Sequence, residues 1–392
     1  LIVNLILLAV SITVFLLVAE FLCRIFIKKP VSHNALFCEY DPLLGWSKIP
    51  NKKGVYSTSE YSVTESFNSK GLRGQEYSYE KKDGEYRILV LGDSFTEGYT
   101  VEFEELFSEV LKEGLNGPSK SDFEVINAGT AGYGTAQEFL FFRDEGIKYL
   151  PDCVVLMFYD NDVVDNVSER GGSNARPYFE MDKKGNLLLK KLPGSKSAIS
   201  NKLQFIQFIR KSCFYGLVKE RVKSTPFLYS LVKKMNLPIT KEMPLQYLVY
   251  QKDKPEILRK GWAVTEALIK EIKKYTDYSG SELIVFYIPV RGAIYEKYWK
   301  RMKIQYGMKG DQWNVLCVAS ELESICKRNN ISFINPVSDF AEEAKALESS
   351  GGMLYFKQDG HWNRYGHKAA GEMLAGYFKK KQLRSEVLYE TE

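Results

Sequence analysis

The chain has 392 residues, of which 45% are hydrophobic and 26% are charged. This hydrophobic content is ordinary for a globular protein, so the composition excludes a wholly disordered chain. The length suits one large domain or two modest ones. The formal net charge of +5 is mild, but the basic residues are unevenly distributed along the chain.

The first segment is apolar enough to cross a membrane. Residues from Leu1 to Ala19 carry no charge, and the apolar run continues past Glu20 to Ile27. At about 1.5 Å per residue, such a helix spans a bilayer core of about 30 Å. A core helix is the weaker interpretation, because a helix that is apolar on all faces needs a large protein around it. We therefore expect a transmembrane anchor at residues 1–29.

The fate and orientation of this segment are separate questions. It lacks a small-residue cleavage site, so we expect a retained anchor instead of a cleaved signal peptide. The basic residues Arg24, Lys28 and Lys29 follow the span, and their charge favours a cytoplasmic C-terminal side. We nevertheless expect the rest of the chain to lie outside the cytoplasm, which conflicts with this charge bias. Basic residues upstream of Leu1 would remove the conflict.

Residues 30–84 are polar, aromatic and rich in turns, so we expect an extension of short strands and loops. The chain then alternates short apolar runs with helical patterns from residue 85 to 392, which predicts a three-layer α/β/α sandwich with a central parallel sheet. The predicted strands are Tyr86–Leu91, Phe123–Asn127, Cys153–Tyr159, Glu282–Ile288 and Ile331–Ile334. The predicted helices are Glu102–Leu115, Thr135–Tyr149, Glu256–Thr276, Asp311–Arg328 and Arg364–Lys381.

A basic insertion interrupts this repeat at about residues 165–255, with helical patches at Leu203–Arg210 and Phe227–Met235. From Lys183 to Lys241 it holds fourteen Lys or Arg residues and one acid, Glu220. Three interpretations stay open: a cap subdomain with a solvated basic face, a basic surface resting on anionic lipid, or a groove for an acidic glycan. A nucleic-acid partner is not expected, because the anchor argues against access.

Neither a metal nor an organic cofactor is expected. The three histidines are scattered, and the six cysteines show no CxxC and no zinc spacing, so a zinc site is not indicated. The cysteines suit small buried hydrophobic positions, and a disulfide between some pair stays open. No Walker pattern or correctly placed Gly-x-Gly-x-x-Gly appears, so nucleotide binding is not indicated.

Several residues with useful chemistry follow the predicted strands, where ligands bind on an open parallel sheet. Ser94 follows the first sheet strand, the block Asn127–Gly134 follows the second, and Asn161 follows the third. Asp359 and His361 lie in the loop before the last predicted helix. Four loops that are distant in sequence can therefore converge on one crevice, bringing the serine, histidine and aspartate that a serine nucleophile needs.

Each of these residues also has a plain structural interpretation. Ser94 can cap the following helix, the paired glycines can form an ordinary turn, and Asn161 can bond loop backbone. His361 can be a surface histidine, with His367 acting as the base instead. We prefer His361 because His367 falls inside the last predicted helix and Asp359 is nearer to His361.

Three further residues carry less weight. Asp93 is expected to order the turn before Ser94. His33 lies next to the anchor and is not expected to take part. Arg291 follows the fourth sheet strand, where it can meet an anionic substrate or pair with an acid.

The order of these blocks resembles the SGNH/GDSL hydrolase superfamily and implies its flavodoxin-like fold. The resemblance covers roughly Glu85–Tyr377, apart from the insertion, and four motifs in order are more specific than one. The segment with Asp41-Pro42 and Gly45-Trp46 also looks like that of membrane-anchored bacterial members. The matching blocks are Gly92–Ser94, Ala131–Gly134, Asn161–Asp162 and Asp359–Asn363.

The resemblance implies a catalytic role for three residues. Ser94 would be the nucleophile, and His361 would be the base that removes its proton. Asp359 would fix the imidazole tautomer and stabilise its charged form.

The resemblance also implies an oxyanion hole. Its donors would be the backbone N–H groups of Ser94 and Gly132 and the side-chain amide of Asn161. Glycine suits position 132 because a bare backbone can approach the substrate oxygen, and Gly134 is the alternative donor.

One departure from the family bears on the reaction. The usual spacing is Asp-x-x-His, whereas Asp359 and His361 form Asp-x-His, which is similar to relatives that acetylate alginate and other exopolysaccharides. We expect a serine esterase acting on an acylated glycan or lipid. The alternatives are an extracytoplasmic glycan O-acyltransferase, by analogy with a membrane acyl-donor protein as partner, and a non-catalytic binding or assembly module.

Overall fold

The computed structural model describes residues 2–26, 32–117, 123–171, 174–190, 212–225, 231 and 243–390. The chain divides into two compact units, one of residues 1–32 and 193–244 and the other of residues 33–192 and 245–392. The predicted patch Leu203–Arg210 lies outside the described residues, and so does Phe227–Met235 apart from Leu231. The domain boundaries at residues 29 and 84 stay predictions.

The elements are numbered here in chain order. The strands are β1 (Cys38–Asp41), β2 (Gly45–Lys48), β3 (Lys53–Ser57), β4 (Ser62–Ser66), β5 (Tyr86–Gly92), β6 (Phe123–Asn127), β7 (Cys153–Phe158), β8 (Arg170–Gly171), β9 (Asn174–Ala175), β10 (Tyr178–Met181), β11 (Leu187–Lys190), β12 (Glu282–Tyr287) and β13 (Ser332–Ile334). The α-helices are α1 (Ile2–Phe26), α2 (His33–Phe37), α3 (Ser94–Glu97), α4 (Phe107–Leu115), α5 (Thr135–Asp144), α6 (Asp162–Asp165), α7 (Cys213–Ser224), α8 (Glu256–Ser279), α9 (Arg291–Ile294), α10 (Glu296–Tyr306), α11 (Cys317–Arg328), α12 (Val337–Glu348) and α13 (Arg364–Glu390).

The predicted parallel sheet is confirmed. Its strand order is β13-β12-β7-β5-β6, with all neighbours parallel. Counted along the chain, this is the flavodoxin-like order, whose switch point lies between the first and third strands. That point is the boundary between β5 and β7, so the loop after β5 opens onto the crevice where ligands bind in such sheets.

Burial explains why the strands read as continuous apolar runs. All six residues of β7 are buried, and five of the six in β12 are. Side chains alternate between the two faces of a strand, and on one face Ile88 and Val90 join a core with Phe107 of α4 and Leu374 of α13. On α8, Leu258, Leu268 and Ile272 are buried, as expected for the amphipathic face of a helix that covers a sheet.

Two predicted helices begin later than expected. The segment predicted as Glu102–Leu115 is interrupted because Leu106 is extended, so α4 starts at Phe107 after a short 3₁₀ turn at Phe103–Glu105. Helix α11 starts at Cys317 instead of Asp311, because Asn314 accepts the backbone N–H groups of Leu316 and Cys317 and forms a turn there. Helices α7, α10 and α12 were not predicted.

The extension, which contains the hairpins β1–β2 and β3–β4, braces the loops at the edge of the sheet. Trp46 donates its indole N–H to the carbonyl of Ala131 at 3.1 Å, inside the glycine block. Arg73 is buried and donates to the carbonyls of Glu97 and Gly98 at the end of α3. The extension is therefore part of the framework that fixes the site.

The other unit contains a helix that is long and apolar enough to cross a membrane. Helix α1 has 25 residues, and no residue in its most apolar 18-residue stretch is buried. Near its end, the Glu20 carboxylate accepts the Ser212 O–H at 2.6 Å and the N–H groups of Cys213 and Phe214 at 3.0 and 2.9 Å. Glu20 thus provides a negative charge at the N-terminus of α7, where a helix favours one.

Candidate active site

Ser94 stands at the start of a very short helix, immediately beyond β5. The helix is capped by Asp93, whose carboxylate accepts the Phe95 N–H at 2.9 Å. The expected turn-ordering role of Asp93 therefore matches its contacts. A Cβ on Gly92 would lie 2.0 Å from the Thr96 Oγ1, so only glycine permits the tight turn out of the strand.

The structure brings Ser94, His361 and Asp359 together. The Ser94 Oγ lies 2.8 Å from the Nε2 of His361, and the Nδ1 of the same ring is hydrogen-bonded to the Asp359 carboxylate. Because a carboxylate only accepts, the proton belongs on Nδ1, and Nε2 is left to accept the serine O–H. This is the orientation in which an imidazole can remove a serine proton.

Asp359 remains a carboxylate although it is partly buried. Burial alone would raise the pKa of Asp359, but the hydrogen bond and charge of His361 outweigh it and hold that pKa below its usual value. The Tyr61 O–H donates to the second carboxylate oxygen at 3.0 Å. The Tyr99 O–H lies 3.3 Å from the Nδ1 of His361.

Arg291 supports the loop that carries Asp359 and His361. Its guanidinium donates to the carbonyls of Phe356 and Lys357 at 2.7 and 2.8 Å and lies 3.9 Å from the ring centroid of Tyr298. These contacts are with the loop backbone and an aromatic face, whereas the sequence suggested an anionic substrate or an acid as the partner.

His367 is placed differently from His361. It is 1% exposed, stacks on Phe107 and accepts the Phe107 N–H through Nδ1. Burial, with the positive charges of Arg73 and His361, lowers the pKa of His367 to about 3. The hydrogen-bond partner of the Ser94 hydroxyl is His361, so the geometry favours His361 over the alternative base.

The oxyanion-hole assignments of Ser94, Gly132 and Asn161 stay predictions. Gly132 has a φ of +83° and accepts an Arg176 N–H through its carbonyl at 3.0 Å. The Asn161 amide donates one of its two N–H groups to the Asp165 carboxylate at 2.7 Å. The second N–H group is the one that an oxyanion would use.

The alternative donor Gly134 has a packing reason to be glycine. A Cβ there would lie 3.0 Å from the Asp165 Cβ and 3.3 Å from the Asn166 Oδ1. Glycine at this position therefore permits α5 to begin close to α6, whatever its backbone N–H does.

Sequence reasoning did not foresee that several carboxyl groups near the nucleophile would be buried. Burial raises the pKa of Asp93 to about 6 and that of Asp160 to about 7. Burial and neighbouring acids hold the pKa values of Glu138 and Asp162 well above their usual range. The pKa values of all four groups are raised, whereas that of Asp359 is lowered. Nothing in the pattern of α5 distinguishes Glu138 from a surface glutamate.

A second buried polar network surrounds His33, which the sequence placed outside the site. His33 Nε2 lies 2.7 Å from Glu65 and 3.3 Å from Glu97, and Lys48 Nζ lies 2.5 Å from Glu97. Ligand atoms of His33, Glu65 and Glu97 lie within 4.8 Å of one another, as a metal ion would require. Lys48 already faces Glu97, so we interpret the cluster as an ion-pair network.

This network contacts the candidate site through, among others, an aromatic ring. His33 stacks on Tyr99 with ring centroids 4.5 Å apart, and Tyr99 contacts His361. Helix α2, which supplies His33, therefore supports the loop that carries His361 indirectly through Tyr99.

Comparisons with known proteins give structural likenesses only. No protein-family model matches the chain, and no curated protein matches it. An acetyl xylan esterase has a similar structure, with 14% identity and a TM-score of 0.40 over 74% of this chain and 98% of that one. A lipase/acylhydrolase from Enterococcus faecalis has 12% identity and a TM-score of 0.38 over 76% and 96%.

A catalytic mutant of an acetylxylan esterase from Geobacillus stearothermophilus is also similar, with 15% identity and a TM-score of 0.37 over 74% of this chain and 94% of that one. Since all three TM-scores lie below 0.5, the fold and the site of this protein rest on its own strand order and side-chain geometry.

Proposed function

We propose that this protein is a serine esterase of the SGNH type, which cleaves an acyl ester through an acyl-Ser94 intermediate. The observation that carries the proposal is the hydrogen-bonded series of Ser94, His361 and Asp359 at the carboxyl edge of the parallel sheet. The resemblance of the four sequence blocks to the SGNH/GDSL superfamily supports it. The names of the similar solved structures agree with it but add no weight.

The first half of the reaction follows from the geometry. His361 Nε2 takes the hydroxyl proton as the Ser94 Oγ attacks the ester carbonyl carbon. Asp359 stabilises the imidazolium that forms. When the tetrahedral intermediate collapses, the bond to the alcohol oxygen breaks, and His361 returns the proton to that oxygen. The acyl group is then held on Ser94.

The second half regenerates the enzyme. His361 takes a proton from a water molecule, whose oxygen attacks the acyl carbonyl, and the proton returns to the Ser94 Oγ as the acid leaves. In both halves we assign the oxyanion to the backbone N–H groups of Ser94 and Gly132 and the amide of Asn161. Each such donor is worth about 2.7–4 kcal/mol of barrier.

We further propose that α1 is a retained anchor and that the catalytic unit lies outside the cytoplasm, with an acylated glycan or lipid as substrate. The length and apolar surface of α1 support the anchor. Alkaline carbonate extraction of membranes tests it, since a cleaved signal peptide would leave the catalytic unit soluble.

A glycan O-acyltransferase is the second candidate function, because of the short Asp-x-His spacing. Asp359 accepts both the ring Nδ1–H and the backbone N–H of His361, the latter at 3.2 Å. The short spacing thus still permits the hydrogen bond that a base needs. In this alternative a sugar hydroxyl replaces water in the second half-reaction, with a membrane protein as the acyl donor.

Labelling with a fluorophosphonate tests the nucleophile. We expect the full chain in detergent to be labelled on Ser94 and the Ser94→Ala variant to be unlabelled. Ser69→Ala, which removes an exposed loop serine, serves as the control and should be labelled like the wild type. Absence of labelling in folded wild-type protein would contradict both enzymatic functions and favour a non-catalytic module.

A partition experiment separates hydrolysis from transfer. The labelled-acetyl donor 4-nitrophenyl acetate is supplied with an oligosaccharide acceptor, and free acetate is compared with acetylated sugar. Release of acetate at a rate independent of acceptor concentration supports the esterase. Acetylated sugar as the main product overturns it in favour of the transferase.

A further inference from the structure

We propose that Glu60, at the tip of the β3–β4 hairpin, is a positioning residue that holds the Asp359–His361 loop in its catalytic geometry. The proposal rests on the proposed function, because it assigns Glu60 a part in the same reaction. Glu60 lies in the N-terminal extension and belongs to none of the four blocks that resemble the hydrolase family.

The contacts of Glu60 are concentrated on one short stretch of backbone. Its Oε1 accepts the N–H of Lys357 at 2.9 Å. Its Oε2 accepts the N–H of Gln358 at 2.9 Å and that of Asp359 at 2.7 Å. Hydrogen bonds with an ionised acceptor are stronger than neutral ones, so one side chain fixes three consecutive amides, including that of the candidate catalytic aspartate.

Arg291 binds the backbone carbonyl groups of the same loop. The carbonyls of Phe356 and Lys357 accept from that guanidinium, while the amides of residues 357–359 donate to Glu60. The residues Lys357 and Gln358 are exposed, so core packing does little to hold this part of the loop. Glu60 and Arg291, which carry opposite charges, therefore hold the loop in place, as packing does for buried segments.

The hairpin tip that carries Glu60 is itself held by hydrogen bonds. The Thr58 Oγ1 accepts the N–H groups of Glu60 and Tyr61 at 3.1 and 3.2 Å. The strands on either side pair in regular register from Lys53–Ser66 to Ser57–Ser62. Tyr61, the next residue, donates to the Asp359 carboxylate. Adjacent residues of one turn therefore hold the backbone and the side chain of Asp359.

This arrangement predicts a catalytic consequence. His361 reaches Ser94 only while Asp359 and its loop keep their place, and a shift of about 1 Å costs about 10²-fold in rate. The contacts of Glu60 are with backbone N–H groups, so it acts through Asp359 and is not itself a catalytic residue.

The test compares Glu60→Ala and Glu60→Gln with wild-type full chain in detergent. The control is Glu76→Gln, an exposed glutamate of the same extension that accepts the N–H and O–H of Ser69 at 2.7 Å. Hydrogen exchange at the amides of residues 357–359 is measured alongside the rates of fluorophosphonate labelling and 4-nitrophenyl acetate hydrolysis.

For Glu60→Ala we expect faster exchange confined to this loop, a fall in kcat of about 10²-fold and a KM within about twofold. Glu60→Gln should fall between Ala and wild type, because its amide oxygen can still accept from Gln358 and Asp359. The Glu76→Gln control should match wild type in all three measurements.

The outcomes separate this inference from the proposed function. Unlabelled but folded wild-type protein overturns the proposed function, and the positioning role with it. Labelled wild type with unchanged loop exchange in Glu60→Ala overturns only the contact with the loop. Faster exchange with unchanged kcat overturns the positioning role, and a loss confined to KM also contradicts it.

Discussion

His361 and His367 are six residues apart, but their side chains lie in opposite environments. The first lies in the loop before α13 and the second near the start of that helix. The His361 side chain is 22% exposed and lies between Ser94 and a carboxylate. His367 is buried against Phe107 and Trp362. A base must be reachable by solvent-borne substrate and must be able to carry a proton, and only the first environment offers both.

The difference in burial strengthens the choice of His361, which the sequence supported only by the position of the last helix and the spacing from Asp359. Both follow Asp359 closely, and both lie near the predicted boundary of the last helix. Protonating His367 would place an unpaired charge in an apolar core, which is costly. Protonated His361 is stabilised by Asp359.

Replacing His361 is expected to have the largest effect. His361→Ala removes the group that accepts the Ser94 proton, so kcat/KM for 4-nitrophenyl acetate should fall by about 10³-fold or more. His367→Asn should stay within about tenfold, since its side chain can still accept the Phe107 N–H and touches neither Ser94 nor Asp359. Steady-state kinetics on both folded variants provides the measurement, and a reversed ranking would refute the assigned base.

The environment of the third histidine offers a test through stability. Lys48→Met keeps the apolar stem but removes the ammonium that faces Glu97. Breaking a buried ion pair typically costs about 3–5 kcal/mol. The melting temperature should fall clearly below that of Lys52→Met, a control at an exposed position in the same extension. Equal melting temperatures would show that the His33 network does not need its lysine.

The acid stability of the protein tests the environment of His367. Its pKa is about 3 in the folded protein and about 6.5 when exposed, so the unfolded chain binds the extra proton below pH 6.5. Stability therefore falls as the pH decreases through this window, by about 2 kcal/mol between pH 6 and pH 4.

The variant His367→Asn cannot take up that proton. Chemical denaturation at pH 6 and pH 4 should show a smaller loss of stability for the variant, by about 2 kcal/mol. An equal loss of stability in wild type and variant would mean that burial does not lower the pKa of His367. The proposed difference between the environments of His367 and His361 would then be wrong.

The parallel sheet could be predicted because buried strands are short apolar runs bounded by turns. The ends of β5 and β7 then placed Ser94 and Asn161 at one edge. The bounds of α4 and α11 could not be predicted, because an extended Leu106 and an Asn314 turn interrupt the helical pattern locally.

The bracing of the site was also beyond the sequence. Glu60 and Asp359 are 299 residues apart, and Glu60 has the pattern of an ordinary turn residue. His33, Glu65 and Glu97 come from α2, β4 and α3, whose packing no local pattern reveals. Contacts between distant segments fix these positions, whereas the four motif blocks each carry a local signal.

The smallest expected effects concern the two tyrosines beside the catalytic loop. Tyr99→Phe removes a hydroxyl oxygen that lies 3.3 Å from the Nδ1 of His361 and can accept its N–H, but keeps the ring that stacks on His33. A neutral hydrogen bond is worth about 1 kcal/mol, so kcat should fall roughly fivefold. Tyr61→Phe should cost more, about tenfold or above, because its acceptor is the charged Asp359 carboxylate. If Tyr99→Phe proved the more damaging variant, the Tyr99 contact with the imidazole would outrank the bond to Asp359.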